Sequence, residues 1–227
     1  MAQQLIMFDT NIWVKEHLFR SSVGAAILYG LRAKRYRLFV PDTLRDEVTA
    51  RVGDAAARAA DRAKSHLAAL RAITGSSPDV RLPQPADISR SISQRWSELE
   101  LLTEPFAVTE KLMRRALRRV IDHRAPGGDK EQFRDALLWE VALECAQRSD
   151  LHLVSEDKDF GAGGKLLPEL ADEATSAKAR LTFHGRTDTV LQLLVPTRPI
   201  SVDAVKQAVL SALGWRLGNL CTGTEDE

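Results

Sequence analysis

Four short apolar runs punctuate the chain, at 4–9, 36–41, 151–155 and 180–184, and stretches of helical periodicity separate them. The first, QLIMFD, is apolar until it ends in an acid and reads as a buried strand. A helix is predicted from Ser21 or Ser22 through AAILYGLRAK, with serine as its cap. The run YRLFVP is a second strand, and PDTLRDEV opens a helix with Leu44 and Val48 on one face. Further on, DALLWEVALECAQR has core spacing at Leu138, Val141, Ala142 and Cys145. LHLVS and RLTFH are the third and fourth strands, followed by two amphipathic helices, TDTVLQLL and VDAVKQAVLSALGW.

The pattern changes between about 51 and 125. Asp54 is placed to cap an Ala-rich helix with a stripe at Ala63, Leu67 and Leu70, and 75–87 is a loop by composition. A helix through SISQRWSELELL follows, broken by Pro105, and another runs from about 106 to 123. In that last helix Leu112, Met113, Ala116, Leu117, Val120 and Ile121 form an apolar face with Arg114, Arg115, Arg118 and Arg119 between them. No strand pattern is visible here, so the stretch reads as a helical insertion. Strands alternating with helices predict an α/β fold with a mainly parallel sheet flanked by helices. The whole chain is expected to form one domain, with the insertion at about 51–125 and extra C-terminal helices at about 186–220.

Composition narrows the classes. The 227 residues are 44% hydrophobic, enough for a full core, and the net charge of +1 gives no global field for a polyanion. The two cysteines, Cys145 and Cys221, exclude a disulfide framework, and the five histidines have no zinc spacing. The start lacks the pattern of a signal peptide, and no apolar run approaches the roughly 18–20 residues of a membrane span. A cytoplasmic setting without membrane contact is the expectation.

Four acids share a placement. Asp9 ends the first strand, Glu47 lies in the helix after the second, Asp135 opens the helix before the third, and Asp157 follows the third. In a doubly wound sheet, such positions converge beyond the carboxyl ends of the strands. Singly, each has an ordinary explanation: an Asx turn or cap for Asp9, a solvated helix residue for Glu47, a helix N-terminus for Asp135, a loop acid for Asp157. Together they would repel one another unless protonated or neutralised by a cation. Hard oxygen ligands suit Mg²⁺, and paired ions suit phosphodiester hydrolysis.

At this point IMFDTNIW, PDTLRDEV, FRDALLWEVAL and LVSEDKDF resemble, in order, the four motifs of the PIN-like nucleases. The likeness covers about 4–50 and 127–185, and the length is similar to larger bacterial PIN-like proteins with a helical insert. The resemblance implies Asp9, Glu47, Asp135 and Asp157 as metal-binding catalytic acids, with Asp46 as the rival to Glu47. It implies Asn11 and Ser155 as residues that orient them, and Asp159 as a further ligand or helix start. Mg²⁺ or Mn²⁺ is the implied cofactor. The implied activity is endoribonuclease; alternatives are a DNA nuclease acting on flaps or single strands, and a non-cleaving module that binds RNA or protein. A toxin-like chain silenced by a small inhibitory protein, and a homodimer, are further expectations.

For substrate grip, two basic clusters stand out: Arg32, Lys34, Arg35 and Arg37, and Lys111, Arg114, Arg115, Arg118, Arg119 and Arg124. Either can be a solvated helix face. With aromatics at only 6%, backbone contact is expected over base stacking. Among these, Arg114, Arg115, Arg118 and Arg119 are the candidate nucleic-acid contacts.

Overall fold

A computed structural model describes residues 3–195, apart from Ser77 and Glu131. The expected helix VDAVKQAVLSALGW and Cys221 fall outside the described residues.

The chain begins with strand β1 (Gln4–Phe8), whose last four residues are buried, as expected for a strand covered on both faces. Helix α1 (Thr10–Lys15) follows at once, so Asp9 lies just beyond the strand. Helix α2 (Ser22–Lys34) is capped by Ser21, whose Oγ accepts the Gly24 N–H at 2.8 Å, and it ends at Arg35 in the left-handed region. Strand β2 (Arg37–Pro41) leads directly into helix α3 (Asp42–Thr74).

The pattern predicts two helices where α3 runs unbroken for 33 residues. Asp54 is therefore no cap. Gly53 interrupts a run of good helix formers without breaking it, because no proline follows and the glycine faces Ile92, to which an added Cβ would come within 3.8 Å. The only buried residues of α3 are Leu44 and Val48. Beyond them the helix projects as an arm on which Ala63 and Leu67 are half-buried and Leu70 is exposed.

Helix α4 (Pro85–Leu99) returns along α3 and starts earlier than the loop composition suggests. Pro85 occupies the first turn, and the Asp87 carboxylate accepts the Gln84 N–H at 3.1 Å, so two residues typical of loops here make a helix start.

The stretch also holds a strand, contrary to expectation: β3 (Thr103–Phe106) pairs in parallel with β2 at the sheet edge. Four residues are too few to show a period, and Pro105 argues against a strand except at an edge, where this one lies. Helix α5 (Glu110–Ile121) follows, with the Thr109 hydroxyl accepting the Leu112 N–H, and packs along helix α6 (Phe133–Ala146). Nearly every residue of α6 from Ala136 onward is buried, including Cys145, whose thiol is pushed up to about 12 by burial. Strand β4 (Asp150–Val154) is next, then a small antiparallel ribbon of β5 (Gly161–Ala162) and β6 (Lys165–Leu166), then helix α7 (Pro168–Ser176). The ribbon and α7 have no counterpart in the sequence reading; GAGG reads as loop and PELADEATS has little apolar content. Strand β7 (Leu181–His184) and helix α8 (Thr187–Leu194) end the described chain.

The central sheet is entirely parallel, in the order β3-β2-β1-β4-β7. From β1 the chain winds outward to β2 and β3, then returns to the other side of β1 for β4. The direction of winding thus reverses between β1 and β4. A parallel sheet opens a crevice at such a reversal, beyond the carboxyl ends of the two strands. No helix among the described residues is long and apolar enough to cross a membrane.

Candidate active site

Asp9 enters the crevice because its backbone is fixed on both sides. Its N–H continues the ladder to the Val154 carbonyl at 2.9 Å, and its own carbonyl accepts the Ile12 N–H at 3.0 Å. The side chain makes no capping hydrogen bond to α1, so the Asx-cap explanation does not describe it. Instead, the carboxylate accepts from the Ser155 hydroxyl at 2.8 Å. Ser155 is fully buried at the end of β4, and its Oγ also accepts the Asp157 N–H at 3.1 Å. One serine therefore ties the acid after β1 to the loop after β4. In turn Asp157 Oδ1 accepts the Asp159 N–H at 2.9 Å.

Asp135 projects from the first turn of α6, and Glu47 from the second turn of α3. Both line the same pocket as Asp9 and Asp157, a cavity of about 830 Å³ that also touches Asn11 and Asp46. The structure thus brings all four expected acids to one place at the carboxyl edge of the sheet. Asp46 reaches the rim but is exposed, whereas the side chain of Glu47 is only 19% accessible and bears electrostatically on both Asp9 and Asp135. That favours Glu47 over its neighbour. Asn11 Oδ1 accepts from Arg51 at 3.1 Å. Asp159 does not line the pocket and starts no helix; Lys130 holds it at 2.6 Å.

The acids crowd one another. The Asp9 carboxyl is raised above its usual range, first by burial, which outweighs the Ser155 hydrogen bond, and further by repulsion from Asp157 and Glu47. Asp135 is raised to about 7, first by burial and then by repulsion from Asp9, Asp157, Glu47 and Asp159. Between about 4 and 7 the metal-free fold therefore holds a proton on Asp135 that the unfolded chain does not. Stability falls as pH rises through that window. Asp135→Asn should remove this slope. The variant is expected to be stabilised by about 1–3 kcal/mol at about pH 7.5, allowing for solvent screening, and by nothing near pH ~4. Urea unfolding at the two pH values measures it; an equal effect at both would show that charge crowding is not the cause.

Two cations escaped the sequence reading. Arg51 contacts Glu47 at 3.1 Å and Arg134 contacts it at 3.2 Å. Both were within reach of inspection: Arg51 lies one helical turn after Glu47, and Arg134 precedes Asp135. Among the described residues no group of three or more Asp, Glu, His or Cys side chains forms a ready-made metal cage. The donor set nonetheless fits Mg²⁺ or Mn²⁺ and not zinc. It is all oxygen, it lacks His and Cys, and magnesium needs only one or two carboxylates while keeping its waters.

The arginine helix differs from its expectation. Only Leu112, Ala116 and Arg119 of α5 are buried. Met113, Leu117 and Ile121 of the expected apolar face turn to solvent. Arg119 takes an inner position because α6 presents Glu140 to it at 2.8 Å and α7 presents Glu173 at 2.6 Å. Arg115 is drawn to Glu140 at 2.7 Å and Glu144 at 3.5 Å. Arg119 is thereby withdrawn from phosphate contact, and Arg115 is engaged. Arg114 and Arg118 remain exposed, and among the described residues each pairs with an acid on its own helix or at its end.

A five-stranded parallel sheet flanked by helices, with an acidic pocket at its winding reversal, defines an α/β protein. Comparison with protein families agrees: the model of the PIN domain matches residues 6–160, and the chain belongs to that family. PIN domains are generally nucleases and typically use divalent metals such as Mg²⁺ or Mn²⁺. Searches of curated proteins and of solved structures returned no match.

Proposed function

We propose that the protein is a metal-dependent nuclease that hydrolyses phosphodiester bonds, and that RNA is its substrate. The convergence of Asp9, Glu47, Asp135 and Asp157 on one pocket carries this reading. Burial and mutual repulsion hold Asp9 and Asp135 above the usual carboxyl range, a cost that a divalent cation would relieve. Asp9, Asp135 and Asp157 would hold the metal, which when bound supplies Lewis-acid stabilisation of the phosphate and a more acidic water.

The chain's own part is positioning. Ser155 orients Asp9 and fixes the Asp157 backbone, so two acids from different strands keep one geometry. Arg51 and Arg134 stand at the mouth on Glu47. A phosphate arriving there offers them a second anionic partner, which would free Glu47 to join the metal-binding acids. The test is incubation of the pure protein with labelled RNA and single-stranded DNA, with Mg²⁺ or Mn²⁺ and with chelator. Metal-dependent RNA fragments support the reading. DNA fragments alone would move the substrate to DNA, and no cleavage of either would leave a binding module.

Of the four candidate arginines, Arg114 and Arg118 are the two left for backbone contact. Replacing both with glutamine should weaken RNA binding evenly across sequences. It should also flatten the log–log salt dependence by about one unit for each phosphate no longer gripped. Binding titrations at several salt concentrations read this out, and an unchanged slope would leave α5 a solvated face.

A further inference from the structure

A second cleft, of about 400 Å³, lies beside β3 between the start of α3 and the end of α4. Its apolar lining is Val40, Pro105, Phe106 and the largely buried Trp96. Its rim is polar, with Arg45, Asp42 and Glu100. The first turns of α3 form the wall it shares with the acidic pocket: Thr43, Leu44 and Glu47 face the acids, while Asp42 and Arg45 face this cleft. The two cavities are therefore neighbours across one helix start.

Three observations indicate what fits. The floor rings are fixed. Phe106 packs on Phe39 with centroids 5.4 Å apart, and Trp96 is held by Trp13 at 5.1 Å and by its indole N–H donating to Thr49 Oγ1 at 2.9 Å. The Arg45 guanidinium lies 5.2 Å from the centre of the Trp96 ring, and among the described residues it forms no ion pair. This differs from Arg51 and Arg134, both committed to Glu47. Finally, Asp42 and Glu100 on the rim would repel a phosphate inside the cleft; the Asp42 carboxylate already accepts the Thr43 and Val108 N–H groups at 2.7 and 3.2 Å, which leaves Glu100 as the rim acceptor for a further N–H. A flat, largely apolar ring with N–H donors at its edge, joined to an anion that stays outside at Arg45, satisfies all three. A nucleotide of a single strand has that chemistry.

We propose that this cleft is a nucleobase subsite, which takes one base of a single-stranded substrate whose phosphodiester lies at the acidic pocket. The strand crosses the start of α3, with Arg45 on the phosphate between the two sites and the base against Phe106, beside Trp96. This rests on the nuclease reading and adds to it a fixed anchoring position a short way along the strand from the cut. The subsite recognises a base by stacking and edge contacts, so it imposes register on the substrate.

The test uses the full chain carrying Asp9→Asn, so that substrate stays intact. Its affinity is measured for a set of RNAs of about 12 nucleotides, otherwise identical, in which a single abasic residue replaces each position in turn. A second protein adds Ala107→Trp, which places a ring in the cleft from its rim without touching the acids. A third adds Arg45→Gln. One abasic position is expected to cost about 10-fold, the scale of one stacked base. The Ala107→Trp protein should bind the unmodified RNA about 10-fold more weakly and show no further loss at that position. Arg45→Gln should weaken all RNAs and flatten the salt dependence. A flat abasic profile, or an unchanged profile in Ala107→Trp of parental melting temperature, overturns the subsite while leaving the nuclease reading intact. Absence of RNA binding by the Asp9→Asn protein overturns both the subsite and RNA as the substrate. If Ala107→Trp is misfolded by circular dichroism, the abasic profile of the Asp9→Asn protein decides alone.

Discussion

Asp9→Asn is expected to abolish metal-dependent cleavage, by about 10³-fold or more, without destabilising the protein. The two halves of this expectation come from the same geometry. Asparagine keeps an oxygen for the Ser155 hydroxyl, which donates to Asp9 at 2.8 Å, so the link between the ends of β1 and β4 survives. It removes a carboxylate that is only 5% exposed and faces other acids, so the metal-free fold loses a desolvated charge and some repulsion. What it also removes is a hard anionic ligand at the centre of the pocket. A thousandfold loss corresponds to about 4 kcal/mol of transition-state stabilisation, within what a bound metal contributes. Asp46→Asn, one residue from Glu47 but exposed, should change turnover little. Linkage supplies a second readout: Mg²⁺ or Mn²⁺ should raise the melting temperature of the parent more than that of Asp9→Asn. Turnover above about a tenth of the parental rate in Asp9→Asn, or equal metal responses in the two proteins, would sink the assignment.

Asp9 and Asp157 were legible because backbone topology places them, whereas Glu47 and Asp135 lie on helices and were singled out with the help of the family resemblance, which left Asp46 as a rival to Glu47. An acid where a buried parallel strand ends must lie at the carboxyl edge, and Asp9 and Asp157 follow β1 and β4, the two strands flanking the reversal of winding. No side-chain detail was needed. Arg51 and Arg134 were not seen because a cation beside an acid on a helix looks the same whether it pairs in solvent or across a site. β3 was not seen because four residues show no period and Pro105 counts against a strand; only its pairing with β2 makes it one. The continuous α3 was missed for the opposite reason: Gly53 and Asp54 have the local character of a break, and contact with α4 overrides it. Arg119 was misplaced because periodicity reports which side of a helix a residue occupies relative to apolar neighbours, not whether an acid waits on the element opposite.

That misplaced arginine yields the largest expected stability effect. The Arg119 side chain is 1% exposed and spends its guanidinium on three elements: Nε and Nη2 donate to Glu140 at 3.0 and 2.8 Å, Nη2 also donates to Glu173 at 2.6 and 2.8 Å, and Nη1 donates to the Ala125 carbonyl. Trp139 Nε1 donates to Glu173 at 3.0 Å, and Arg115 reaches the other oxygen of Glu140 at 2.7 Å. The cluster joins α5 to α6 and α7 with its charges matched. Arg119→Met fills a similar volume but leaves Glu140, 4% exposed, with Arg115 alone, and strips Glu173 of its closest cation. Breaking a buried pair from one side costs about 3–5 kcal/mol. For a domain of this size that is a fall in melting temperature of roughly 6–20 °C. The pH dependence follows from Glu173, whose carboxyl is held below its usual range: burial pushes it up, but hydrogen bonds from Arg119 and Trp139 pull it further down. The stability it contributes is present above about pH 4.5 and is lost as pH falls through its lowered value. The gap between parent and Arg119→Met should therefore narrow as pH is lowered below about 4.5. Adding Glu140→Leu to Arg119→Met should recover part of the loss, because the stranded charge goes with its partner. Urea unfolding of the single and double variants at about pH 7 and about pH 4 measures all three expectations. A single variant as stable as the parent at neutral pH would show that the cluster is dispensable.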